Sequence, residues 1–176
     1  MAGDFGSLGH LAGRFVGSLS PAGPPPADED WALAQLLPGE QELWRRMSGP
    51  DRRHAVAVAR EALRLLGPDP CPRAVVAAAL LHDVGKVESG LGTFARVAVT
   101  VAAIVVGRER LVASVRPGLT ARVRAYLTHD RIGAELLRDA GADPLTFTWA
   151  AEHHLGEARW SVERGVAAAL KAADGD

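Results

Sequence analysis

From Asp28 to the C-terminus, apolar residues recur at helical spacing, and one stretch after another stops at proline or glycine. That combination constrains the fold more than any other feature. The acidic trio Asp28, Glu29 and Asp30 precedes an apolar stretch, as a helix start should, and Pro38-Gly39 ends it. Further helices are predicted over 40–47, 52–66, 72–83, 94–106, 120–127, 129–140, 144–154 and 161–173. The stops include Gly67-Pro68-Asp69-Pro70 and Pro117-Gly118, while Gly85 and the 89–92 stretch are expected to loosen the chain. No stretch alternates apolar and polar residues between turn signals, so strands are not expected. Ala and Val supply much of the 48% hydrophobic content, and Ala favours helix strongly. The expectation is an all-α bundle over 28–176, preceded by an arm over 1–27.

In that arm Phe5, Leu8, Ala12, Phe15 and Leu19 keep the spacing of a short amphipathic helix. Prolines 21, 24, 25 and 26 then stiffen the chain toward polyproline II. A length of 176 residues suits one domain and allows a sizeable core.

Charge and composition exclude several classes of function. The formal net charge is −1 and no long basic run occurs, so the electrostatic footprint of a nucleic-acid binder is missing. Cys71 is the only cysteine, which rules out an intramolecular disulfide and fits a reducing cytoplasm. No basic segment followed by an apolar run marks a signal peptide. The most apolar run, 97–107 between Arg96 and Arg108, falls short of the roughly 20 residues a membrane span needs. The reading is therefore a cytoplasmic protein without a membrane span. Its oligomeric state is left open, a homo-oligomer included.

Six histidines occur, and all but His10 sit in or beside predicted helices. A lone histidine on an apolar helix is usually a satisfied core or surface residue, so the argument has to be joint. The strongest local signal is Leu80-Leu81-His82-Asp83-Val84-Gly85-Lys86. It puts an imidazole and a carboxylate at the end of a buried helix, where backbone carbonyls crowd. A charged Asp there is costly without a positive neighbour, and it lies at the wrong end for the helix dipole. A divalent cation would resolve both problems, and His and Asp are suitable ligands. Lys86 and Lys171 are the only lysines in an arginine-rich chain. A compact ammonium one turn after His82 suits neutralisation of a phosphate oxygen, although a solvated lysine there would need no special cause.

The order His54, then His82-Asp83 with Gly85-Lys86, then Asp174 in an Ala-rich helix resembles the HD superfamily of metal-dependent phosphohydrolases. The likeness covers roughly residues 50 to 176. It implies an HD-type helical bundle in which His54, His82, Asp83 and Asp174 bind a metal. The segment from His129 through Gly133 to Leu136-Leu137 is similar to the His-x-x-x-Gly-x-x-Leu-Leu stretch of HDIG and HD-GYP phosphodiesterases. The pair His153-His154 is similar to their paired histidines. By that likeness His129, His153 and His154 complete a site for a second metal. One or two divalent ions are implied, with Fe, Mn, Zn, Ni, Co and Mg all left open. Adjacent helical residues point about 100° apart, so His153 and His154 are expected to serve different partners.

Two departures separate the chain from those relatives. Leu155-Gly156-Glu157 follows His154 in place of a Gly-Tyr-Pro signature, and Pro50 stands four residues before His54 where some relatives carry an acidic ligand. The resemblance implies hydrolysis of a small phosphate ester, a nucleotide among the candidates, with Asp83, Lys86 and His153 as catalytic candidates. Two other readings use the same residues. One is a di-iron HD-domain oxygenase, and the other is a metallated module that binds a nucleotide without turnover.

Overall fold

The computed structural model describes residues 22–69, 71–107, 110–111 and 119–175. The predicted helix of the arm and the turn at Pro117-Gly118 lie outside the described residues. Among those residues there are nine α-helices and no strand: α1 (Pro26–Ala34), α2 (Pro38–Arg46), α3 (Gly49–Leu66), α4 (Arg73–Leu81), α5 (Thr93–Val106), α6 (Leu119–Leu127), α7 (His129–Asp139), α8 (Pro144–Glu152) and α9 (Arg164–Asp174). The all-α expectation holds. Several helices begin at proline, where the missing N–H costs nothing: α1, α2, α3 and α8 each carry Pro in the first two positions. This moves the start of the first helix from Asp28 to Pro26. Ser48 caps α3 by accepting a hydrogen bond from the Asp51 N–H at 3.3 Å.

Helix α4 is the axis of the molecule. Every residue from Val75 to Leu81 is buried, which explains its apolar character all round. It packs between α3 and α8, α9 lies on α3, and α7 lies on α8. Trp44, Trp149, Leu137 and Leu170 fill the space around it. The buried Glu40 ties α2 to the start of α4: its carboxylate accepts from the Leu37 N–H and from Arg73 Nη1, each at 2.8 Å.

The segment expected to loosen the chain after Asp83 is in fact ordered. Val84–Ser89 forms a 3₁₀ helix lodged against α6 and α7. Gly85 makes that possible. A Cβ there would stand 2.0 Å from the His129 carbonyl oxygen and 2.6 Å from the Gly133 nitrogen. Among the described residues no helix is long and apolar enough to cross a membrane.

Candidate metal centre

Helix ends build the centre. His54 lies in the second turn of α3. Helix α4 ends at Leu81, so His82 is its C-cap and Asp83 turns the chain into the 3₁₀ segment with φ −100° and ψ 7°. His129 opens α7. Helix α8 ends at Glu152, so His153 is its C-cap and His154 follows in a turn. Asp174 closes α9, and Gly175 behind it takes the left-handed conformation at φ 74°. Helices predicted to run through Asp83 and His154 thus end two residues early, because the chain tightens there.

Three of the histidines share one device. Nδ1 of His82 donates to Ala79 O at 2.8 Å, Nδ1 of His129 to Tyr126 O at 2.6 Å, and Nδ1 of His153 to Ala150 O at 2.9 Å. A carbonyl only accepts, so Nδ1 carries the proton in each. In the neutral ring, Nε2 then carries a bare lone pair. The buried Nε2 atoms of His82 and His153 have no hydrogen-bond partner.

Seven side chains gather in two groups. His54, His82 and Asp174 offer ligand atoms that all lie within 4.8 Å of one another, and so do Asp83, His129, His153 and His154. In the first group Asp174 Oδ1 lies 3.0 Å from His54 Nε2 and 3.6 Å from His82 Nε2. In the second, Asp83 Oδ1 lies 3.0 Å from His129 Nε2 and 3.7 Å from His153 Nε2. His154 Nε2 lies 3.2 Å from His129 Nε2. Asp83 joins the groups, since its other oxygen is 3.4 Å from His82 Nε2. His82, Asp83, His129, His153 and Asp174 are buried, while His54 and His154 are partly exposed. His153 and His154 both stand in the second group, with ring centroids 4.0 Å apart.

In the metal-free centre the carboxylates are balanced by a protonated His82 and by Lys86. Burial works against the charged form of His82, but the carboxylates of Asp83 and Asp174 outweigh it and raise its pKa to about 9. Burial also works against the charge on Asp83, yet Lys86 and His82 hold its carboxyl well below the usual range. Asp174 is likewise held low against burial, by His82 and His54. His153 goes the other way: burial, then His154 and His82, push it well below an ordinary imidazole. Carboxylates and imidazole lone pairs packed this closely repel unless a cation stands among them. A transition-type ion with bonds of about 2.0–2.3 Å spans about 4–4.6 Å from ligand to opposite ligand, close to the spread of each group. The donor set, three His and two Asp on buried positions plus the partly exposed His54 and His154, fits divalent metal.

Lys86 donates from its ammonium to Asp83 Oδ2 and lies mostly out of solvent. Burial would lower its pKa, but Asp83 outweighs this and raises it, so the side chain stays cationic. Three participants were not found from sequence. Lys171 Nζ donates to His153 O at 2.8 Å and so holds the turn that carries both histidines. Its rarity as a lysine is a sequence signal that it shares with Lys86. Tyr126 stacks on His129 with ring centroids 5.8 Å apart, and Asp51 pairs with Arg96 at 2.7 Å. Neither has a local sequence mark.

No curated protein and no solved structure matches this chain. The HD domain family model matches residues 52–174, a span that takes in all seven side chains of the two groups. The chain therefore belongs to the HD domain family, a superfamily of metal-dependent hydrolases.

Proposed function

We propose that the protein is a metal-dependent phosphohydrolase or phosphodiesterase acting on a small phosphate ester, with nucleotides the first class to test. The observation that carries this reading is Asp83. One buried carboxylate links two groups of inward lone pairs, and in each group a buried Nε2 has no hydrogen-bond partner. His54, His82 and Asp174 would hold one ion, and His129, His153 and His154 a second, with Asp83 shared. When bound, such ions lower the pKa of a coordinated water and offset charge on phosphate oxygens.

The chain's own residues supply the rest. Asp83 fixes the separation of the two groups, and the backbone carbonyls behind His82, His129 and His153 fix their tautomers. Lys86 has no lone pair while charged, so it cannot act as a base. It stands beside Asp83 as a fixed positive charge for a non-bridging phosphate oxygen. His153 is buried and neutral, which suits a ligand better than a proton donor.

The test is elemental analysis of the purified protein followed by hydrolysis of bis(p-nitrophenyl) phosphate, p-nitrophenyl phosphate and a nucleotide panel, with and without chelator. Metal-dependent release of nitrophenol supports the reading. Bound iron with oxygen uptake and no ester hydrolysis would contradict it in favour of oxygenation. Tight nucleotide binding without turnover would contradict it in favour of a binding module.

A further inference from the structure

Helix α5 carries a polar line that the proposed chemistry does not use. Arg96 Nη1 lies 2.9 and 2.7 Å from the two oxygens of Asp51, and its Nε donates to Leu91 O at 2.9 Å. These anchors fix the guanidinium plane. They leave Nη2 with two N–H groups that no described residue accepts. One turn along, Thr100 Oγ1 donates to Arg96 O at 2.9 Å. That spends its only hydrogen, so the 3.1 Å contact between Thr100 Oγ1 and the Tyr126 hydroxyl is donated by Tyr126.

Those contacts tie the Arg96–Thr100 face to neighbours of both groups. Asp51 stands one turn before His54 on α3, beside the first group. Tyr126 stacks on His129, and its carbonyl fixes the His129 tautomer, beside the second. Lys86 is within electrostatic reach of both Tyr126 and Asp51. Asp51 balances Arg96 and Asp83 balances Lys86, so what this rim offers an anion is the N–H edge of Arg96 rather than surplus charge. A planar guanidinium locked at two corners with its third free is suited to a group with oxygens of its own.

We propose that Arg96 reads a second anionic group of the substrate. On the phosphohydrolase reading, on which this rests, the substrate is a phosphate ester with a further phosphate or carboxylate a few atoms from the scissile bond. Arg96 touches that group and sets specificity; it takes no part in bond cleavage.

The test uses the full chain loaded with Mn²⁺ and probes that cannot be hydrolysed: propylphosphonate, 3-phosphonopropanoate and propane-1,3-diyl bisphosphonate. Calorimetric titration gives the ratio of affinities between the doubly anionic probes and propylphosphonate. The expected ratio is about tenfold or more in the wild type, the value of one charge-assisted hydrogen-bonded contact. Arg96→Gln should bring it near one. Arg96→Lys keeps the charge and the tether to Asp51, and so covers the case in which the glutamine variant fails to fold. It should keep only part of the ratio, because an ammonium lacks the fork. A merely structural Arg96 would weaken all three probes alike and leave the ratio unmoved. A wild-type ratio near one, or a ratio unchanged in either variant, overturns the inference alone. A metal-loaded wild type that binds none of the probes overturns the phosphohydrolase reading with it.

Discussion

Asp83 occupies a position that few carboxylates tolerate. It is buried, at the C-terminal end of an apolar helix, with a lysine on one oxygen and histidines on both. Lys86 compensates part of that charge, and it does so without being able to ligate metal. Lys86→Ala should therefore leave metal content unchanged while kcat on a phosphodiester falls roughly 10²–10³-fold, the usual loss for one electrostatic partner of a transition state. Elemental analysis and rate measured on one preparation check this; an unchanged kcat would remove the lysine from the chemistry. The histidines predict how stability depends on pH. The His82 pKa is raised from 6.5 to about 9 in the folded, metal-free protein, so its contribution is full below pH 6.5 and lost as pH rises through about 9. His153 has the opposite sign. Burial, then His154 and His82, hold its pKa down, so stability falls as pH drops below 6.5 and the unfolded chain takes up the proton. Asp83 and Asp174, both held low, add a further loss below about pH 4. The metal-free protein should melt highest near pH 6.5 and decline on both sides. Saturating metal takes the place of the His82 proton and should remove the alkaline decline. Thermal melts with chelator and with metal between about pH 5 and pH 10 test this, and a chelated Tm that climbs from pH 7 to 9.5 would contradict it.

Between elements, the closest approach is the seam of the 3₁₀ segment against the start of α7. Gly85 faces the His129 carbonyl and Gly133, and Gly133 faces Gly85 and Val84 in return. Asp83 and His129 flank this seam, so it sets the distance between them. Gly85→Ala would drive a methyl into backbone that cannot yield, at a cost of about 3 kcal/mol or more. A lower Tm should come with weaker metal binding at the His129 group, while the His54 group, built on α3, α4 and α9, should be affected less. A variant with wild-type Tm and metal content would show the seam to be slack. The same seam marks where sequence reading stops. The helices were legible because proline and glycine punctuate them, and the His82-Asp83 doublet and Asp174 were legible because each stands just before a glycine at a helix end. What periodicity cannot show is a helix tightening into a turn, so the sequence predicts α4 and α8 two residues longer than they are. Nor does it show that Gly85 permits a close contact instead of loosening the chain. Asp51 with Arg96 and Tyr126 with His129 depend on packing between helices, and the first of these pairs spans 45 residues of sequence.

Across the whole molecule, one buried apolar helix carries the His-Asp doublet to the centre, and the surrounding helices bring their ends to meet it. α3 and α9 supply His54 and Asp174 on one side; α7 and the turn after α8 supply His129, His153 and His154 on the other. Such convergence from distant segments is how helical bundles make metal sites. It also makes the centre separable, because each group rests largely on its own helices and is joined to the other by Asp83, a member of the second group that reaches His82 of the first at 3.4 Å. The most direct measurement is the metal-to-protein ratio, by elemental analysis after saturation and desalting, of the wild type and three variants. The account predicts about two ions per chain in the wild type, about one in His54→Ala, about one in His129→Ala, and close to none in Asp83→Ala. A wild-type ratio of about one that His129→Ala leaves unchanged would contradict it and reduce the centre to a single site.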